Sequence, residues 1–145
     1  MRFFSFLFVN ATLIGFTFAQ GIAVSAPIEG ATVKAGSNIT VQVDGPLVKQ
    51  GSIQAAVVIG LLSCSPPCPS PAQEIGKILY NGPYFPTIHF LGPGPAGTQI
   101  FENLTVAIPA FVALGPAQLS VTQTNLLNDG SHLVLRSSAV TVLMD

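Results

Sequence analysis

The sequence predicts an all-β chain folded as an antiparallel β-sandwich of about seven to eight strands. Three observations carry that reading. Apolar and polar residues alternate with period two in several short runs, as Asn38 to Val43 does. Glycine and proline, 14 and 12 of the 145 residues, punctuate those runs at the spacing of turns. Beyond the amino-terminal segment, no stretch shows a clean helical period.

The chain begins with an address. Met1-Arg2 supplies one positive charge, and Phe3 to Phe18 is almost unbroken apolar sequence ending in Thr17-Phe18-Ala19. This reads as a secretory signal peptide, residues 1–19, cut after Ala19. An uncleaved anchor is the weaker reading. The run is short of the roughly 20 residues a span needs, and Ser5, Asn10 and Thr12 interrupt it. Residues 20–145 then form a single domain, with Lys34, Lys49, Lys77 and Arg136 against six carboxylates. The apolar tail Ala139 to Met144 is too short for a lipid-anchor signal. The expected product is secreted and extracellular, with no membrane attachment after cleavage.

The elements follow in order. Ile22, Val24 and Ala26 alternate before Pro27. In Asn38 to Val43, Ile39, Val41 and Val43 share one face, and Asn38, Thr40 and Gln42 share the other. Ile53 to Leu62, an apolar run broken only by Gln54, reads as a central strand covered on both faces or as a short helix, and its β-branched content with flanking Gly and Ser favours the strand. Gly76 to Tyr80 and Thr87 to Leu91 are shorter candidates. In Asn103 to Ile108, Leu104, Val106 and Ile108 point in, while Asn103 and Thr105 point out. Leu119 and Val121 alternate with Ser120 and Thr122. Leu133 and Leu135 have odd parity but Val140, Val142 and Met144 have even parity, which predicts a bulge or bend near Ser137-Ser138. Asn128-Asp129-Gly130 reads as a hairpin turn and Gly92 to Gly97 as a stiff loop hostile to helix.

Secretion predicts two covalent features. Cys64-Ser-Pro-Pro-Cys68 closes a small disulfide loop in an oxidising compartment. A redox-active pair opens a helix after a two-residue spacer; here the spacer has three residues, and prolines at 66, 67, 69 and 71 forbid the helix. The sequons Asn38-Ile-Thr40 and Asn103-Leu-Thr105 are N-glycosylation acceptors, both on outward parity. Sugars there would help so uncharged a surface stay soluble.

Chemistry is sparse. Only 8% of residues are charged, against about 25% in an ordinary domain. A formal charge of −1 argues against nucleic acid, which needs a clustered basic face. Two histidines cannot build a three-histidine zinc site, and no metal or cofactor is expected. Gly92-x-Gly94-x-x-Gly97 matches a dinucleotide fingerprint in letters only, since Pro93 and Pro95 lack the N–H groups that motif uses. No Gly-x-Ser-x-Gly elbow occurs, and no catalytic residue is assigned. Asp129 reads as a turn former and His132 as a surface histidine. Tyr80 to Phe90 is the most aromatic stretch after the signal. Its Tyr80, Tyr84, Phe85 and His89 form a candidate ligand patch, the alternative being a proline-braced loop whose aromatics cap the core.

Ile22-x-Val24-x-x-Pro27-x-x-Gly30-x-x-Val33-x-x-Gly36-x-x-Ile39-x-Val41 looks like the opening of secreted Ig-like domains. The ending, Leu119-Ser-Val121, then Asn128-Asp-Gly130, then Ser138-Ala-Val140-Thr-Val142, is similar to their last hairpin. Together they resemble the N-terminal Ig-like domain of fungal Ser/Thr-rich cell-wall proteins of the β-1,6-glucan-synthesis group. That group's tryptophan after the second strand is replaced by Val43-Asp44, and its Ser/Thr-rich tail is not found. The resemblance implies an Ig-like/fibronectin-III-like sandwich of fungal origin. It implies an extracellular or cell-wall-associated role and carries over no catalytic residue. The expected function is therefore non-enzymatic binding or structural support, with cell-wall polysaccharide or extracellular protein as partner. The alternative is a small secreted enzyme or ligand carrier using the Tyr80–Phe90 stretch.

Overall fold

The computed structural model describes residues 21–45, 53–126 and 133–145. The expected signal segment 1–19 lies outside them, as do Asn128, Asp129, Gly130 and His132. In chain order the strands are β1 (Ala23–Ala26), β2 (Thr32–Val33), β3 (Asn38–Asp44), β4 (Ile53–Ser63), β5 (Lys77–Gly82), β6 (Thr87–Phe90), β7 (Thr98–Ala107), β8 (Gly115–Leu126) and β9 (Leu133–Met144). They form a four-stranded sheet in the order β1-β3-β7-β6 and a five-stranded sheet in the order β2-β9-β8-β4-β5. The two sheets pack face to face as a β-sandwich, with no α-helix among the described residues.

Alternation explains the core. Val41 and Val43 of β3 and Leu104 and Val106 of β7 face inward from one sheet. Val57, Ile59 and Leu61 of β4, Leu119 and Val121 of β8, and Val142 and Met144 of β9 face them from the other. All are buried, and each such side chain contributes about 1.5–3 kcal/mol by leaving water. β4 lies between β8 and β5, the interior position its apolar run requires. The layer turns polar toward the far end of β8, where Gln123 is fully buried and Asn125 nearly so.

Four expectations need correction. The described residues hold nine strands rather than seven or eight, and β4, β7, β8 and β9 are long, at 10 to 12 residues. The sandwich is not wholly antiparallel, because β2 pairs with β9 in parallel, Thr32 opposite Leu143 and Val33 opposite Met144. The stiff segment 92–97 contains a single 3-10 turn, Pro95–Gly97. No bulge occurs at Ser137-Ser138. β9 pairs with β8 in unbroken register from Met144 opposite Gly115 to Leu133 opposite Leu126. A slip would forfeit that ladder. The parity change is met instead by leaving Leu133 and Leu135 on the outer face, 61% and 62% exposed.

The segment from Cys64 to Gly76 folds across the outer face of the five-stranded sheet. Ser120 of β8 has outward parity yet is fully buried, because its hydroxyl lies under the Ile75 carbonyl, 3.4 Å away. Gly60 of β4 permits that approach, since a Cβ there would collide with the Ile75 carbonyl oxygen. Gly76 adopts φ +73°, a left-handed conformation that favours glycine. Cys64 and Cys68 are joined by a disulfide with Cα atoms 5.6 Å apart, and the Cys64 N–H donates to Pro116 O at 3.2 Å. The bridge therefore sits where the segment leaves β4. Closing so small a ring removes little entropy from the unfolded chain, so Cys64→Ser with Cys68→Ser should cost about 2 kcal/mol. Urea unfolding with intact signal at the native baseline checks this; an unchanged midpoint would show that the bridge holds nothing in place.

Candidate functional site

The aromatic stretch lies where the chain passes from β5, at the edge of one sheet, to β6, at the edge of the other. Its members part company there. Tyr84 turns into the core and is 1% exposed. Its hydroxyl donates to Val43 O at 2.9 Å, and Gly45 packs so close that a Cβ there would stand 2.7 Å from the Tyr84 hydroxyl oxygen. Tyr80 is half-buried against the core, and its hydroxyl donates to Pro83 O at 2.8 Å. The Phe85 N–H donates to Glu102 Oε2 at 2.5 Å, while the Phe85 ring is 69% exposed. The four-residue patch is thus not one surface, because Tyr84 is withdrawn from it to close the sandwich.

Burial holds the Tyr84 phenol well above the usual tyrosine range, with the Glu102 and Asp44 carboxylates adding to the effect. All three causes disfavour the phenolate. This tyrosine is a neutral hydrogen-bond donor, not an acid poised for catalysis.

His89 belongs to a different group of side chains. It stands on the outer face of the four-stranded sheet and stacks on Phe101 of β7, centroids 3.7 Å apart and planes 9° from parallel. Its Nε2 lies 2.9 Å from Thr87 Oγ1. Asp44 of β3 is opposite Phe101 in register and accepts from Ser25 Oγ and, at 2.9 Å, from Gln42 Nε2. A hydroxyl–imidazole pair thus flanks and covers the Phe101 ring, which is only 7% exposed, with a carboxylate beyond it already engaged. Among the described residues, the hydrogen-bond partner of His89 is Thr87 and no carboxylate is bonded to its ring. Sequence reasoning missed Phe101. The signal was available: it is a large aromatic on the outward parity of Asn103 and Thr105.

Two further features surround these groups. Ile88, Phe90 and Leu91, 50%, 79% and 64% exposed, leave an apolar strip along β6 and beyond it. On the opposite side of the molecule, Ser70, Pro71 and Ala72 overhang Thr122, Leu135 and Ser137, enclosing a shallow cleft of about 370 Å³. Its floor is neutral, with Thr122 and Ser137 hydroxyls 2.9 Å apart. Among the described residues, no three His, Cys, Asp or Glu side chains come together as a metal site. Asn38 and Asn103 are both exposed, on the face that carries His89.

Two predictions follow from Tyr84. Tyr84→Phe removes the hydroxyl's hydrogen bond to Val43 O, a carbonyl that also stands in the β3–β7 ladder, and should lower stability by about 1 kcal/mol in denaturant titration. Because the folded state raises this pKa, the unfolded chain releases its proton first as pH rises. Stability should therefore hold below the ordinary tyrosine value of 10.0 and decline above it. Tyr84→Phe should flatten that alkaline decline, measured by urea unfolding between about pH 8 and pH 11; an equal slope in both proteins would contradict the assignment.

No family model matches the sequence, and no curated protein matches it. Among solved structures, the fibronectin(III)-like modules of Clostridium thermocellum CbhA are similar at 15% identity, covering 85% of this chain and 93% of that one, with a TM-score of 0.41. A likeness of that degree says nothing of function.

Proposed function

We propose that this chain is a small secreted, non-enzymatic β-sandwich module that works by surface contact in the extracellular space or cell wall. The observation that carries the reading is the fate of the aromatic stretch. Tyr84, its central residue, is committed to the core, and the remaining polar groups satisfy one another instead of converging on a cavity. What the surface offers is contact area. Phe85 and Phe90 present exposed rings beside one edge of the four-stranded sheet, and aromatic faces pack on the apolar faces of sugar rings or on protein side chains. The Met1–Ala19 pattern and the Cys64–Cys68 bridge favour an oxidising, exported setting. The partner class is cell-wall polysaccharide or an extracellular protein.

The second reading, a small enzyme or ligand carrier, has one observation in its favour: the Thr87–His89 pair beside Phe101. The two readings separate experimentally. The full chain, expressed through a eukaryotic secretory pathway, should appear in the medium beginning at Gln20. It should be retained on insoluble wall polysaccharide or on immobilised extracellular protein, and Phe85→Ala with Phe90→Ala should weaken retention several-fold. His89→Ala should leave it unchanged. Retention by neither matrix, or hydrolysis of a wall-derived substrate that His89→Ala abolishes, would overturn the non-enzymatic reading.

A further inference from the structure

The two sequons lie on neighbouring strands of one sheet and face the same way. β3 and β7 pair antiparallel, with Asn38 opposite Ala107, Thr40 opposite Thr105, and Gln42 opposite Asn103. All six side chains leave the same outer face, and Asn38, Thr40, Asn103 and Thr105 are exposed. The threonine pair sits at the centre, with one asparagine diagonally to each side. Asn38 and the position opposite Asn103 are four residues apart. At about 3.3 Å per residue that is roughly 13 Å along the strand. The two amide nitrogens therefore stand far enough apart for two sugar chains to rise side by side. The residues opposite and between them are neutral: Ala107, Thr40, Thr105 and Gln42.

A second observation gives this arrangement a purpose. Among the described residues, eleven large apolar side chains are exposed, as many as all the Lys, Arg, Asp and Glu in the sequence. Surfaces so poor in charge associate and precipitate unless something else holds water on them. We propose that Asn38 and Asn103 both carry N-linked glycans, and that this sugar-bearing face supplies the surface solvation that ionised side chains supply elsewhere. The proposal rests on the secretory reading above. It also divides the molecule: the outer face of β3 and β7 is shielded, and contacts fall to the β6 edge and the outer face of the five-stranded sheet.

The test uses the full chain secreted by eukaryotic cells. Intact-mass and glycopeptide spectrometry should find sugar at both sites. Peptide N-glycosidase should convert Asn38 and Asn103 to aspartate. Asn38→Gln and Asn103→Gln should each remove one glycan, and Thr40→Ala and Thr105→Ala should do the same without touching the acceptor. Light scattering should show the native glycoprotein monodisperse and the enzymatically stripped protein self-associating at the same concentration. Because stripping acts on folded protein, a folding defect in a variant does not confound it. Protein in the medium that is bare at either site overturns the paired assignment. Stripped protein that stays monodisperse overturns the solvation role. Protein retained bare in the cytosol overturns this proposal and the secretory reading together.

Discussion

The apolar layer between the sheets closes, on the side where β5 gives way to β6, around one side chain: Tyr84. The chain must cross there from one sheet to the other, and Tyr84 ties that crossing to the sheet it enters. Its ring extends the Val41–Val43–Val57–Ile59 layer outward, and its hydroxyl reaches Val43 O on the far sheet. Gly45 leaves the space for it, and Glu102 holds the next backbone N–H. A leucine at this position would fill less of the space and would lose the hydroxyl's bond to Val43 O.

The same segment decides what the outside of the molecule offers. Since Tyr84 goes in, Phe85 goes out, and the alternation along β6 then sends Ile88 and Phe90 to one side and Thr87 and His89 to the other. An aromatic stretch that looks like one platform becomes a core plug, an exposed apolar strip and a stacked imidazole. Chemistry needs groups that converge; here the pleat separates them. That separation is what supports the surface-contact reading proposed above.

The five-stranded sheet is managed differently. Its outer face is partly roofed by the Cys64–Gly76 segment, which buries Ser120 and approaches Gly60 closely enough to exclude any side chain there. On the four-stranded sheet, Asn38, Thr40, Asn103 and Thr105 of β3 and β7 are exposed and present the two sequons. Each sheet thus meets solvent by its own means, with backbone and disulfide on one and, in our proposal, sugar on the other.

Much of this was legible in the residues themselves. Period-two alternation in Asn38–Val43 and Asn103–Ile108 named the inward valines and leucines and the outward asparagines, because strand parity is a local property. The Cys64–Cys68 spacing with its prolines gave a short bridge rather than a redox pair for the same local reason. Parity failed where a long-range ladder overrode it: β9 keeps its register with β8 across Ser137-Ser138 and leaves Leu133 and Leu135 in water. Nor does parity reveal that Ser120 is covered, that β2 joins β9 in parallel, or that His89 finds Phe101. Composition and alternation determined which face the residues of β3 and the second half of β7 take. Only the tertiary structure decided which faces meet, because contacts between residues distant in sequence depend on how whole sheets stack and where the chain crosses between them.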